Sequence, residues 1–253
     1  MLIRTVAAAV LLVVAAPAFA GAASLFQAGK FAEASVAGRS ENTAASLILA
    51  GRAALIVASF DTTDRDRAKA LVEAADRDFD AALVRDPASL EAQLMKAQAV
   101  GYRGKLAKSP GLAKETRARM EAVVARDPAY GLAWSSLGGW HAGAVTAVGK
   151  FVAGTMLGAS SKVALADFET GLARDSRNPV QYAFYALTLL DLGTDNGARA
   201  TQLLKTLATV PARDAYETML KHETAALLPL LTAGDVKGAQ ALARRLLPFG
   251  KLA

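Results

Sequence analysis

Residues 126–141, RDPAYGLAWSSLGGWH, decide the fold because they contain both the end of one helix and the start of the next. The Asp-Pro pair ends a helix, since proline cannot continue one. Trp134, Gly138 and His141 then recur at helical spacing, on one face of the following helix. The small residues on that face let two helices approach closely, so the stretch predicts a tightly packed pair of helices.

The same pattern occurs at two other places in the chain. Arg85-Asp86-Pro87 and Arg174-Asp175-Ser176 repeat the helix end, with Ser176 in the place of proline. Tyr182 follows Ser176 by six residues, as Trp134 follows Pro128, and Tyr185 continues the helical spacing. A recurring pattern of this kind predicts stacked helix pairs, none of which buries its apolar face alone. We expect an all-α protein of about five pairs plus terminal helices.

Composition agrees with a helical protein and excludes several functional classes. The 253 residues include 58 Ala, the best helix former, and only 6% aromatic residues, which is thin for a β-sandwich or barrel. The absence of Cys excludes disulfides, thiolate metal sites, a Cys nucleophile and an N-terminal lipid anchor. Two His leave almost no material for a His-based metal cluster. The modest net charge of +6 and the continuous supply of apolar residues exclude disorder.

The first twenty residues have the pattern of a secretory signal peptide. A basic start at Arg4 precedes an apolar run over 6–16, and Ala18-Phe19-Ala20 places small residues where signal peptidase requires them. We therefore expect residues 1–20 to be removed and residues 21–253 to form one helical-repeat domain. An uncleaved membrane anchor is the alternative, because residues 5–26 have no charged side chain. The expected location is the periplasm of a Gram-negative bacterium.

The repeated pattern resembles the tetratricopeptide repeat (TPR). Trp134, the Leu137-Gly138 pair and His141 match its first helix, and residues 29–34 and 231–235 are similar to its turns between helices. The resemblance implies a TPR-like α-solenoid of antiparallel helix pairs. Its first helices would line a concave face that binds proteins or peptides.

A second resemblance covers about half of the chain. Residues 105–231 are similar to the regulator of microtubule dynamics family and its bacterial relatives, and somewhat to the T-component of TRAP transporters. The run Leu137-Gly138-Gly139-Trp140-His141 and the long insertion after it carry this likeness. Neither group has catalytic residues to transfer, and a microtubule role does not apply to an exported bacterial protein.

The candidate binding residues are those that the pattern places on the concave face. They are polar or aromatic residues of the predicted first helices: Gln93, Lys96, Trp134, His141, Tyr182 and Tyr185. For His141 a buried packing role is favoured over a catalytic one, because no spacing marks a partner carboxylate or nucleophile. For Trp134 we expect packing between helices. No catalytic residue, metal ligand or cofactor site is predicted.

The stretch from Gly138 to Ser160 has the most unusual composition, with six glycines and Lys150 as its only charge. Glycine costs about 1 kcal/mol against Ala in a helix, so close packing must offset it. An over-long helix buried against its neighbour is favoured. A ligand slot between helices and a membrane helix are the alternatives.

Two charged segments admit both a functional and a structural interpretation. The run from Asp61 to Asp66 superficially resembles a calcium loop but lacks the required Gly and Glu, so Asp64 is predicted to cap a helix. A basic run extends from Arg103 to Arg119. It is interpreted either as a solvated surface or as a positively charged edge that binds anionic lipid or an acidic partner. Nucleic acid is not expected as a partner of an exported protein.

These observations predict an exported, non-catalytic TPR-like scaffold that binds a protein or peptide partner through its concave face. The alternative is a small-molecule or lipid-binding accessory protein of a transport system, with an enclosed apolar pocket around Gly138–Ser160. Peripheral contact with a membrane is compatible with both.

Overall fold

A computed structural model describes residues 21–252, and these residues form an all-α fold without β-strands. The predicted signal peptide at 1–20 lies outside the described residues. The first half contains α1 (Ala22–Gln27), α2 (Phe31–Glu41), α3 (Ala44–Ile56), which a π-helical turn extends over Val57–Asp61, α4 (Arg65–Arg85), α5 (Leu90–Ala107) and α6 (Pro110–Arg126). The second half contains α7 (Gly131–Val148), α8 (Lys150–Val152) with a π-helical turn over Ala153–Leu157, α9 (Ser161–Arg174), α10 (Pro179–Leu192), a 3₁₀ turn over Thr194–Asn196, α11 (Gly197–Thr209), α12 (Ala215–Ala225), α13 (Leu227–Thr232) and α14 (Val236–Leu246).

The helices pack mainly in pairs along the chain. The pairs are α1 with α2, α3 with α4, α5 with α6, α7 with α9, α10 with α11, and α13 with α14. The first helices of successive pairs also contact one another, α3 with α5, α5 with α7, and α7 with α10. The chain does not remain an open row, because α12 contacts both α1 and α10. The N-terminal and C-terminal helices therefore meet.

The three predicted helix ends are confirmed, and they share one geometry. Helices α4, α6 and α9 end at the arginine of each motif, and the following Asp86, Asp127 and Asp175 have φ of −137°, −140° and −143°. Each aspartate accepts a hydrogen bond at Oδ1 from the backbone N–H two residues later, at 3.1, 2.9 and 3.2 Å. This local bond forms the turn by itself, which explains why Ser176 can stand in place of proline.

Helix starts also follow local side-chain chemistry. Asp64 caps α4 as predicted, because its Oδ1 accepts from the N–H groups of Asp66 and Arg67 at 2.8 and 3.0 Å. Ser109 caps α6 in the same way through Leu112 N–H at 3.3 Å. Such caps satisfy backbone donors that a helix leaves unpaired at its first turn.

The pair α7 and α9 is held by glycines that allow backbone contact. A Cβ on Gly171 would lie 2.8 Å from Gly131 O, and a Cβ on Gly138 would lie 2.8 Å from Ala164 O. No side chain fits at these distances, so glycine is required for the close approach. Gly143, one of the six glycines between Gly138 and Ser160, does not serve this purpose, since a Cβ there would meet nothing within 4 Å.

The expectation of one long buried helix over residues 138–160 is wrong. Helix α7 ends at Val148 because Gly149 takes a φ of +81°, a left-handed conformation that interrupts the helix. In the following segment the two sides differ: Phe151 is 81% exposed, whereas Ala153 is fully buried and packs with Leu157 against Trp140 and Val145 of α7.

One apolar stretch of the described residues is long enough to cross a membrane. It covers Ala44–Asp61, with a mean hydropathy of 1.6, and 72% of it is buried inside the protein. Most of this stretch belongs to α3, which packs between α2 and α4.

Candidate functional site

Three of the predicted binding residues each donate a hydrogen bond to the turn that precedes their helix, in the turns after α4, α6 and α9. Gln93 Nε2 donates to Pro87 O at 2.8 Å, and Trp134 Nε1 donates to Pro128 O at 3.0 Å. The hydroxyl of Tyr182 donates to Ser176 O at 3.1 Å. Each bond joins a side chain of the new helix to the turn six residues before it. These side chains therefore lock the turns between neighbouring helix pairs.

Lys96 and Tyr185 occupy equivalent positions, nine residues after Pro87 and Ser176, and each contacts the preceding helix. Lys96 Nζ lies 2.7 Å from both the Asp76 and the Asp80 carboxylates of α4. The Tyr185 hydroxyl donates to Glu169 Oε1 of α9 at 2.8 Å. Burial, followed by the bond to Glu169, raises the pKa of Tyr185 to about 12. Both residues thus join two helices within the fold.

His141 is a buried residue that caps the neighbouring helix. Its side chain is 3% exposed, and its Nδ1 accepts from Ser160 N–H at 3.3 Å, at the start of α9. Burial, and next the nearby Arg117 guanidinium, lower the pKa of His141 to about 4. The imidazole is therefore neutral, and it accepts a hydrogen bond instead of carrying charge.

All six predicted binding residues therefore form contacts within the chain. The partner-binding role that the sequence predicts for them stays a prediction, and they supply little free surface for it. The described residues also contain no group of three or more His, Asp or Glu that could hold a metal ion.

The C-terminal part of the chain lies against a surface formed by three helices. We define the inner face as the surface of α3 with its π-helical turn, α5 and α10, against which residues 213–252 lie. Helices α12 and α14 pack on α10, and Arg244 pairs with Asp191 of α10 at 2.7 Å. Asp214, just before α12, pairs with Arg52 of α3 at 3.4 Å.

Residues 248–252, which we call the tail, attach to the inner face through one backbone N–H, one backbone carbonyl and one lysine side chain. Phe249 N–H donates to Ser59 O at 3.0 Å, and Lys251 Nζ donates to Phe60 O at 2.9 Å. Both acceptors lie in the final turn that extends α3, where helix carbonyl groups have no partner further along the helix. Lys105 Nζ of α5 donates in turn to Pro248 O at 2.8 Å. The tail thus completes hydrogen bonds that the helices leave open.

One aromatic ring anchors the tail. Phe249 is 9% exposed and meets the ring of Tyr102 edge to face, with ring centroids 5.0 Å apart. Lys105 Nζ lies 5.8 Å from the centroid of Phe249. Burial raises the pKa of Tyr102 to about 12 and lowers the pKa of Lys105. An aromatic anchor with backbone hydrogen bonds beside it is the way in which a groove binds a short peptide.

No protein-family model and no curated protein matches this sequence. The functional assignment therefore depends on the geometry of this chain alone.

Sequence reasoning did not find the contact between the tail and the inner face. The signal was present, because Phe249 and Leu252 continue apolar character beyond a Pro248 that ends the last helical pattern. The neighbouring residues do not indicate where such a segment docks, because Phe249 and its acceptor Ser59 are 190 residues apart in the chain.

The cavity beside Gly138–Ser160 differs from the enclosed apolar pocket that the alternative function predicts. It has a volume of about 460 Å³ and is open to solvent. Its lining is partly polar and includes Lys150, Lys162, Ser160 and Ser161.

The basic run from Arg103 to Arg119 is largely paired within the chain. Arg103 binds Asp76 at 2.7 Å, and Arg119 binds Glu115 at 2.8 Å. Lys105 contacts the tail, as described above. The run is therefore not a continuous surface of free cations.

Proposed function

We propose that the chain is an exported, non-catalytic TPR-like scaffold whose inner face binds a polypeptide segment. The observation that carries the proposal is the tail, which occupies the inner face as a peptide would. The three equivalent turns, with their side-chain locks at Gln93, Trp134 and Tyr182, support a TPR-like solenoid. Export is supported by the residues 1–20 pattern alone.

The contacts of the tail describe the kind of segment that this face accepts. A backbone N–H of the tail donates to Ser59 O, and a lysine side chain of the tail donates to Phe60 O. An aromatic side chain meets Tyr102, and a backbone carbonyl of the tail accepts from Lys105. A partner segment would need an aromatic residue, a basic residue two positions later, and an irregular backbone between them. It would have to displace the tail first, because both use the same groups.

Small-molecule or lipid binding for a transport system remains the second hypothesis. The open cavity next to residues 138–160 does not favour it over the peptide-binding role, because such a cavity encloses little of a ligand's surface.

The experiment is a titration with a fluorescent peptide of the sequence LLPFGKLA, which copies residues 246–253. Fluorescence anisotropy would be compared between the wild type and Phe249→Ala, in which the resident tail has lost its anchor. The wild type should bind the peptide at least about tenfold more weakly, since its own tail competes at a high effective concentration.

Two further variants test whether the peptide uses the inner face. Lys105→Ala in the Phe249→Ala background removes a donor to the peptide and should weaken binding. Val84→Ala in the same background alters a residue of α4 that is 81% exposed, and should leave binding unchanged. Absence of peptide binding to a folded Phe249→Ala protein would refute the proposed function.

A further inference from the structure

The exposed apolar side chains of this protein are concentrated in one short segment. Among the described residues, seven large hydrophobic side chains are exposed, and five of them lie between residues 148 and 163. Four belong to the segment 148–157, which we call the tip: Val148 is 47% exposed, Phe151 81%, Val152 38% and Met156 55%. Exposed apolar residues scattered singly need no explanation, but a cluster of this kind marks an interaction surface.

The tip is fixed to the fold on one side, where Ala153 and Leu157 pack against α7. Gly149 and Gly158 take positive φ of +81° and +66°, so α7 ends before the segment and the π-helical turn ends after it. Arg117 of α6 donates to the carbonyls of Leu157 and Gly158 at 3.1 and 3.3 Å. The same guanidinium lies 5.7 Å from the ring centroid of Trp140. One side of the tip is thus fixed to the fold, while Phe151 and Met156 remain in solvent.

The stretch of sequence that contains the tip carries charge of a single sign, and Glu121 of α6, which lies near its fixed side, is already paired with Arg117 at 2.7 Å. The 39 residues between Asp127 and Asp167 contain no carboxylate, and their only charged side chains are Lys150 and Lys162. Both lysines line the cavity of about 460 Å³ beside the tip, together with Ser160 and Ser161. Helix α9 begins at this cavity without an acidic residue in its first turn, so its positive end adds to the same field.

We propose that the tip docks on an anionic phospholipid bilayer. Phe151 and Met156 enter the boundary of the acyl chains, and Lys150 and Lys162 meet the phosphates of the headgroups. This is the arrangement by which amphipathic segments lie in a membrane interface without spanning it. The proposal is independent of peptide binding at the inner face, from which it uses no residue.

The lysines favour a lipid surface over a second copy of the chain. In a symmetric dimer the same patch faces itself, so the lysines of one copy would approach those of the other. No carboxylate in this part of the sequence could pair with them across such a contact. A bilayer containing phosphatidylglycerol supplies both the apolar interior and the opposite charge.

The absence of Cys allows a probe at one chosen position. Phe151→Cys in the full chain would be labelled with an environment-sensitive fluorophore and titrated with vesicles of phosphatidylglycerol and phosphatidylcholine in equal parts. Val84→Cys is the matched control, because Val84 is also 81% exposed but lies on α4. The probe reports only its own surroundings, so any membrane affinity of residues 1–20 does not produce its signal.

The expected result is a blue shift and higher intensity at position 151, with no change at position 84. Replacing Lys150 by Gln in the Phe151→Cys chain should raise the lipid concentration needed for half of the change about fivefold, and Lys162→Gln should act likewise.

Three results of the vesicle titration would overturn the proposal. They are an unchanged spectrum at position 151, an equal change at position 84, and an equal response to vesicles of phosphatidylcholine alone. A blue shift at position 151 that appears without vesicles as protein concentration rises would also overturn it, and would assign the tip to contact between copies.

Discussion

The backbone of Phe249 provides a sharp test of how the tail is held. Phe249 has a φ of +66°, a left-handed conformation that costs residues with a Cβ about 1–2 kcal/mol. Glycine adopts it freely but loses about 0.5–1 kcal/mol more entropy than Ala on folding. Phe249→Gly should therefore be more stable than Phe249→Ala by about 0.5–1 kcal/mol. Both variants should be less stable than the wild type by about 3 kcal/mol, because a ring that is only 9% exposed is lost.

Urea unfolding followed by circular dichroism measures these differences. The matched control is the same pair of substitutions at Val84 in α4, where Ala should be the more stable variant by about 1 kcal/mol. The order of Gly and Ala is therefore expected to invert between the two positions. If Gly were less stable than Ala at position 249 as well, the left-handed tail backbone would be wrong.

Three other predictions concern the body of the fold. Asp167→Asn should raise the unfolding free energy at about pH 7, because burial raises the pKa of Asp167 to about 6 and makes its charged form unfavourable above that pH. The unfolding free energy of this variant should also fall more steeply than that of the wild type between about pH 6 and pH 4. The protein loses about 3 kcal/mol there because the pKa of buried His141 is lowered to about 4, and the variant lacks the opposing gain from protonation of Asp167. Urea unfolding at several pH values checks both expectations, and parallel pH profiles of variant and wild type would contradict them. Tyr182→Phe removes only the hydroxyl that locks a turn and should cost about 1 kcal/mol in the same assay, whereas no loss would mean that the turn does not need its lock. Gly171→Ala should destabilise the protein by more than about 2 kcal/mol through a clash with the backbone of α7, while Gly143→Ala, with open space around it, should stabilise by up to about 1 kcal/mol; the reverse order of melting temperatures would refute the close packing of α7 and α9.

Local chemistry explains which parts of the fold could be predicted from sequence. The ends of α4, α6 and α9 and the cap at Asp64 depend on residues within three or four positions of one another, so the sequence pattern located them. The turns at Gly29 and Gly234 were likewise predicted, and both glycines have positive φ.

Contacts between distant residues explain the rest. Gly131 and Gly171 are 40 residues apart, and only the packing of α7 on α9 shows why both must be glycine. The break at Gly149 could not be distinguished from a tolerated helix glycine, because its effect depends on φ. The candidate binding residues were selected by position in the repeat, but their polar groups are used by the turns, and the peptide-like contact came from the tail.

The most direct test of the central claim is hydrogen exchange of the wild-type chain with and without a saturating amount of isotope-labelled tail peptide. Occupation of the inner face by the peptide should raise exchange in the resident residues 246–252, including the Phe249 N–H that Ser59 O now protects. Exchange in α5 should stay slow, because its inner surface remains covered. Unchanged exchange of the resident tail under saturating peptide would contradict the account, since the peptide would then bind elsewhere.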